Sequence, residues 1–176
     1  MDHVGRRAGA AIIAIAALGL TAAFAVAFAA APASARTLVL DLELEDSSGE
    51  APSANHAEWL KRVSGELRDG LNAKGYDVVD GATMARLVPP GTEIRSCDGC
   101  ERDIARAAGA DLVVFGIVRK VSSLILWIGV VVEDVATGQT VTMARGDIRG
   151  DNETAWSRGV GWLVEHRLAD HAPAKR

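Results

Sequence analysis

Cys97 and Cys100 are the only two cysteines among 176 residues, and they sit three apart in Ser96-Cys97-Asp98-Gly99-Cys100-Glu101. A pair at this spacing, at the start of a helix, can reach the Cα separation of about 4.4–6.8 Å that a disulfide needs. As a permanent bond it would fix the entry to that helix, and so short a loop is worth only about 2 kcal/mol in the chain-entropy view. As an exchanging pair it would place Cys97 near the positive end of a helix dipole, which lowers a thiol pKa. A thioredoxin arrangement is not expected, because the motif does not follow the first strand and no proline-bearing strand is placed to face it. Zinc needs about four ligands, and no Cys/His pair stands at finger spacing. No His follows Cys100, so a haem-attachment motif is absent. A structural disulfide is the leading reading, with redox use as its competitor.

Two further groups of side chains could bind something. Asp41, Glu43 and Glu45 alternate along one segment and could hold a hard cation. Their competing reading is the solvated face of an outer strand, where charge discourages edge pairing, and no spacing resembles a calcium loop. The block Arg149 to Arg158 contains Arg149, Asn152, Trp156 and Arg158, a candidate partner-binding edge or simply a turn and a helix cap. An exposed Trp is a natural anchor for a partner, so Trp59, Trp127 and Trp162 are candidates for exposure as well. His56, His166 and His171 remain, with His166 expected to meet Asp170 at i, i+4. Ser122 and Ser157 have no His/Asp partners by motif, and the Gly-x-Ser-x-Gly elbow is absent. Neither a P-loop nor a dinucleotide fingerprint occurs. No catalytic residue, metal or cofactor is expected.

These residues must be positioned by regular elements, and the pattern supplies them. Residues 37–46 alternate, with Leu38, Leu40, Leu42 and Leu44 on one face of a strand and the acids on the other. Ser47 to Ala54 reads as a flexible loop. A helix is predicted over 56–74 from Leu60, Val63, Leu67 and Leu71, with Asn55 as cap and Glu58 completing a capping box. Gly65 and Gly70 weaken it by about 1 kcal/mol each relative to Ala. Residues 76–80 form a short strand, and 81–96 are irregular around Pro89-Pro90-Gly91, with room for a short helix over 82–88. A helix over 100–108 follows. Strands are predicted at 111–122, 124–135 and 140–148, and the near-continuous apolar run of the second predicts burial on both faces and a central position. Asp151 or Asn152 caps a last helix over 153–169, whose inner stripe is Trp156, Val160, Leu163 and Val164. The order β-α-β-α-β-β-β-α predicts an α/β (α+β) fold, a single mixed sheet of about five strands with helices packed on it.

The N-terminus reads differently. Arg6 and Arg7 precede Ala8 to Ala31, which holds no charged residue, and Pro32-Ala33-Ser34-Ala35 follows. A basic start, an apolar middle and small residues at −3 and −1 are the parts of a secretory signal. Cleavage is expected after Ala35. The competing reading is an uncleaved anchor, since about 20 apolar residues cross a bilayer, and only then would the chain have a membrane partner. The twin arginines lack the rest of a Tat motif, and no Cys follows the run, so a lipid-anchored form is not expected. The expected organisation is a signal peptide over 1–35, one domain over 36–170 and a flexible tail over 171–176. Removing 1–35 takes away Arg6, Arg7 and Asp2, which leaves 17 basic and 22 acidic residues and a net charge of −5. That balance argues against nucleic acid as a partner. Both cysteines would lie in a compartment that oxidises thiols.

Three blocks, Cys97-Asp98-Gly99-Cys100-Glu101 to Gly109-Ala110-Asp111-Leu112-Val113-Val114, Lys120-Val121-Ser122-Ser123-Leu124-Ile125-Leu126, and Asp147 to Gly159, appear in that order. Together they resemble a family of exported bacterial proteins catalogued as a domain of unknown function (2380, also numbered 3280). The resemblance spans about 37–169. It implies an extracytoplasmic location and no particular activity. At the level of topology the chain is also similar to domains of curli-type secretion channels, to envelope lipoproteins that activate peptidoglycan synthases, and to the N-terminal domain of the Tol-system translocation protein. Those are binding and assembly modules, and fold likeness alone licenses little about function. The expectation is a non-enzymatic periplasmic accessory protein that binds another envelope protein. Thiol–disulfide exchange at Cys97/Cys100 and small-ligand or cation binding are the alternatives.

Overall fold

The first predicted strand is broken where α1 leans on it. In the computed structural model, which describes residues 35–89 and 91–171, that strand becomes β1 (Arg36–Val39) and β2 (Glu43–Asp46). Both pair in parallel with one side of β4 (Leu112–Lys120), β1 along Leu112–Val114 and β2 along Ile117–Lys120. Between them, side chains of α1 (His56–Ala73) take over the backbone groups: Ser64 Oγ accepts from Leu42 N at 2.9 Å, and Arg68 Nε donates to Val39 O at 3.1 Å. The break also redirects the leucines. Leu38 and Leu40 pack on one side of the sheet, Leu42 and Leu44 on the other, so they do not share the single face that strict alternation predicts.

The other elements are β3 (Asp77–Val78), α2 (Gly81–Leu87), α3 (Cys100–Ala107), β5 (Ile125–Asp134), β6 (Thr140–Arg149) and α4 (Glu153–Leu163). The sheet runs β3-β1-β4-β5-β6, with β2 beside β4; β1, β2 and β3 are parallel to their neighbours, and β4-β5-β6 is an antiparallel meander. This is the expected mixed sheet with helices packed on it, with six strands rather than about five. Residues 1–34 and 172–176, which hold most of the predicted signal and most of the predicted tail, lie outside the described residues. Among the described residues no helix is long and apolar enough to cross a membrane.

Helix boundaries follow local chemistry. Asp80 caps α2 by accepting from Thr83 N, and Asn152 caps α4 by accepting from Ala155 N. Asn55 enters α1 already in helical geometry and makes no side-chain cap bond, so the predicted capping box does not form. Nor does the last helix run unbroken to 169: α4 ends at Leu163 and continues as a wide-turned stretch to Leu168. His166 turns back to Trp162, accompanied by ring stacking, instead of meeting Asp170. Two glycines that cost helix propensity permit close approach: a Cβ at Gly70 would lie 3.0 Å from Val164, and one at Gly159 2.8 Å from Ile148.

The two sheet faces are covered unequally. One face carries α1 and α4 over a core that includes Val63, Leu67, Ile128, Trp156 and Leu163. On the other face α2 and α3 bury Leu38, Leu40, Val113 and their neighbours. They leave most of β5 and β6 bare, with α3 touching β5 at its end, where Arg102 Nε lies 3.2 Å from Glu133. β5 is therefore central in pairing but buried on one face only: Leu126, Ile128, Val130 and Val132 are buried, while Ile125, Trp127, Gly129 and Val131 are exposed or half-buried. The expected double burial is corrected on this point.

Candidate functional site

The bare part of the second face is an apolar groove of about 400 Å³. Phe115 and Ile117 of β4, Trp127 and Val131 of β5, and Met143 and Arg145 of β6 line it, because odd-numbered positions on these strands share one side of the pleat. Met143 is 69% exposed and Ile125 60%, so the surface is open, not a sealed cavity. Gly129 creates its floor: a Cβ there would lie 2.7 Å from the Trp127 ring, which lies over the glycine. The Arg145 guanidinium sits 4.5 Å above the same ring, a cation–π contact that holds the indole flat. Arg95 and Glu43 form the opposite wall. Glu43 is not free to meet a ligand, since it accepts from the backbone N–H groups of Ile94 and Arg95. The groove lining thus carries two cations, Arg95 and Arg145, against the one Glu43 carboxylate, with Arg95 also 3.6 Å from Glu93 and Arg145 3.7 Å from Asp147.

A second wide depression, of about 620 Å³, adjoins it between the β1–β2 link and residues 84–95. Asp41 and Glu43 of the acidic stripe line it, and the stripe's acids have intramolecular partners. Asp41 pairs with Arg68, Glu43 holds the turn at Ile94–Ser96, and Glu45 pairs with Arg119 at 3.1 Å. Each acid thus has a protein partner, and Asp41 and Glu45 remain open to solvent as part of a charged face.

Cys97 and Cys100 are bonded to each other, with Cα atoms 5.7 Å apart, at the first turn of α3. Gly99, with φ +85°, makes the turn between them. The Glu101 carboxylate lies 3.9 Å from the Cys97 sulfur and is itself buried. The three could hold a metal only with the bond reduced, since disulfide sulfurs are not thiolate ligands.

The block 149–158 separates on folding. Asn152 is used as a cap, and Trp156 is fully buried at 0% exposure, so it cannot be the partner anchor proposed for it. Arg149 and Arg158 remain exposed, around a shallow pocket of about 270 Å³ closed by Trp162.

Sequence reasoning missed one cluster altogether. Lys120, at the end of β4, is only 2% exposed, and its Nζ meets Glu50 at 2.9 Å, Asp151 at 3.1 Å and Asp46 at 3.7 Å. Bonding to Glu50, and the Asp151 and Asp46 charges, hold the ammonium protonated well above the ordinary lysine range, although burial opposes this. Asp151 also lies 2.9 Å from His56 Nε2 and accepts from Trp156 Nε1 at 3.2 Å. His56 stacks on Trp156 and meets Trp59 edge-on. The predicted flexible loop is pinned here: Ser47 N donates to Lys120 O, and Glu50 accepts from Ser123 N. The only hint in the sequence was the isolated polar pair Arg119-Lys120 closing an apolar strand. The cluster joins loops on the α1/α4 side and does not open into the groove.

Over residues 35–168 the chain matches the model of a family described as protein of unknown function (DUF2380). No curated protein matches it in sequence. Among solved structures it is similar to lipoprotein GNA1162 from Neisseria meningitidis, at 17% identity and a TM-score of 0.53, over 81% of this chain and 99% of that one. It is also similar to the LpoB C-terminal domain from Salmonella enterica, at 16% identity and TM-score 0.49, over 66% and 84% of the two chains. TolB from Acinetobacter baumannii matches at 13% identity and TM-score 0.44, over 78% of this chain and 30% of that one. At 17% identity the likeness to GNA1162 speaks to fold alone.

Proposed function

Since the chain belongs to the family described as protein of unknown function (DUF2380), which brings no activity with it, we propose from its surface that it is a non-enzymatic accessory protein of the periplasm. In this reading the signal over 1–35 is removed after Ala35, and the domain docks another envelope protein in the groove across β4, β5 and β6. The observation that carries it is the uncovered apolar face: Met143 and Ile125 stand open beside a Trp127 ring held flat by Arg145. Soluble monomers rarely leave such contiguous apolar surface without a use. The rim selects the occupant. With Glu43 engaged by backbone, Arg95 and Arg145 set the local charge, so the segment that fits is apolar and flanked by acidic residues.

A photo-crosslinker in place of Met143, in the native host, tests this. The expected result is one dominant adduct with an exported protein, and a Met143→Glu variant that binds that protein at least about tenfold more weakly while keeping its fold. No adduct, or a partner bound equally well by Met143→Glu, overturns the reading.

A further inference from the structure

We propose that the chain pairs with a second copy of itself, antiparallel along β6, with Gly146 opposite Gly146 of the partner copy. This inference does not rest on the groove as a docking site, although Arg145 belongs to both surfaces.

β6 is the outer strand of the sheet and runs for ten residues. Gly150 N donates to Leu124 O, while the Ile125 backbone is bonded to the end of β4. Antiparallel ladders alternate, so Ala144, Gly146 and Ile148 face β5. Met143, Arg145, Asp147 and Arg149 turn their N–H and C=O groups outward. Edges of this length are ordinarily blunted by proline, a bulge or charged side chains. This one has no proline, and its irregularity lies at the far end, opposite Val132/Glu133. Its charges alternate in sign.

That alternation is self-complementary in one register. Antiparallel pairing about Gly146 aligns 143–149 with itself, sets Arg145 against the partner's Asp147 and Asp147 against the partner's Arg145, and keeps side chains on their proper faces. Centring the pair on residue 145 would oppose Arg145 to itself, and centring it on 147 would oppose Asp147 to itself. Centring on Ile148 sets Asp147 against the partner's Arg149 but aligns only 147–149. Within one chain Arg145 and Asp147 are 3.7 Å apart with both side chains mostly exposed, so they are available to re-pair across the edge.

A second observation falls on the same axis. Trp162 is 45% exposed and stands over Gly146 on the helix side, its ring 3.3 Å from where a Cβ there would be. A two-fold axis through Gly146 brings the two Trp162 indoles to either side of it, where large aromatics contribute most to an interface. The axis is perpendicular to the sheet, so both bare grooves face the same way and join into one surface.

The protein purified from the envelope tests this by sedimentation equilibrium. The wild type is expected at twice the chain mass. Asp147→Arg, which opposes arginine to arginine, is expected to sediment as a monomer with an unchanged near-ultraviolet spectrum. The double exchange Arg145→Asp with Asp147→Arg restores complementarity and is expected to recover the dimer. A wild type that stays monomeric at its highest soluble concentration overturns the proposal, as does an Asp147→Arg variant that dimerises as tightly as wild type.

Discussion

Lys120 shows how much depends on one side chain whose partners are remote in sequence. Its ammonium is out of water and meets three carboxylates drawn from the 46–50 segment and from the start of α4. Replacing it by Met leaves Asp151 buried beside His56 without its main cation. Because Glu50 and Asp46 can relax into solvent, the expected loss is about 2 kcal/mol at neutral pH, below that of a fully buried pair. A shift in the urea midpoint checks it. The Lys120 bond holds Glu50 below its ordinary 4.5, and Ser48 holds Asp46 below its ordinary 3.8. A lowered carboxylate contributes stability that is present above the ordinary value and lost as pH falls through the depressed one. Wild-type stability should therefore decline below about pH 4.5, and in Lys120→Met the part due to Glu50 should shrink to what the Ser123 N–H supports, while most of the part due to Asp46 persists. At the alkaline end Lys120 is raised above 10.5, and burial pushes the Tyr76 phenol up to about 12. Both contributions are whole below their ordinary values and are lost as pH climbs through the raised ones. None of this was legible in the sequence, since one lysine at a strand end carries no periodic signal. The cysteine pair was legible, because spacing and compartment suffice to read it.

Among elements, α3 is short and buries only Glu101 and Ala105. It is eight residues long, and the disulfide closes its first turn. If the bond is structural, the double variant Cys97→Ser with Cys100→Ser should lose about 2 kcal/mol, and the pair should have a reduction potential below about −300 mV. Loss of stability in the variant is checked by thermal unfolding, and the potential by equilibration with dithiol buffers. A potential near that of an exchanging dithiol would return the redox alternative. The existence of α1, β4, β5, β6 and α4 followed from apolar spacing, and apart from the C-terminal end of α4 their observed bounds lie close to the predicted ones. What spacing did not show was the break between β1 and β2. There Ser64 and Arg68 of α1 take hydrogen bonds that a continuous strand would have kept, and period-two alternation has no knowledge of a helix lying across it.

For the whole molecule, the start of the sheet and the expected cleavage point coincide. Arg36 N donates to Asp111 Oδ2 at 2.9 Å, and Arg36 O accepts from Asp111 N at 2.7 Å. A cut after Ala35 would turn that amide into an ammonium, charged below about pH 7.7, beside the carboxylate. The pair is exposed, so Asp111→Asn should cost the form that begins at Arg36 about 0.5 kcal/mol more below that pH than above it. Denaturant titrations at pH 6 and pH 9 check it; a form that keeps the preceding residues should show no such difference. Composition, periodicity and turn chemistry determined the mixed sheet, most of the element order and the cysteine pair, because each is written in short-range spacing, and the resemblance of three blocks pointed to the family. The unequal covering of the two faces, the burial of Trp156, the pinned 47–54 loop and the bare groove were decided only in three dimensions. Which apolar side of a strand meets a helix and which meets water depends on where distant elements end, and here α2 and α3 leave β5 and β6 bare except at the end of β5.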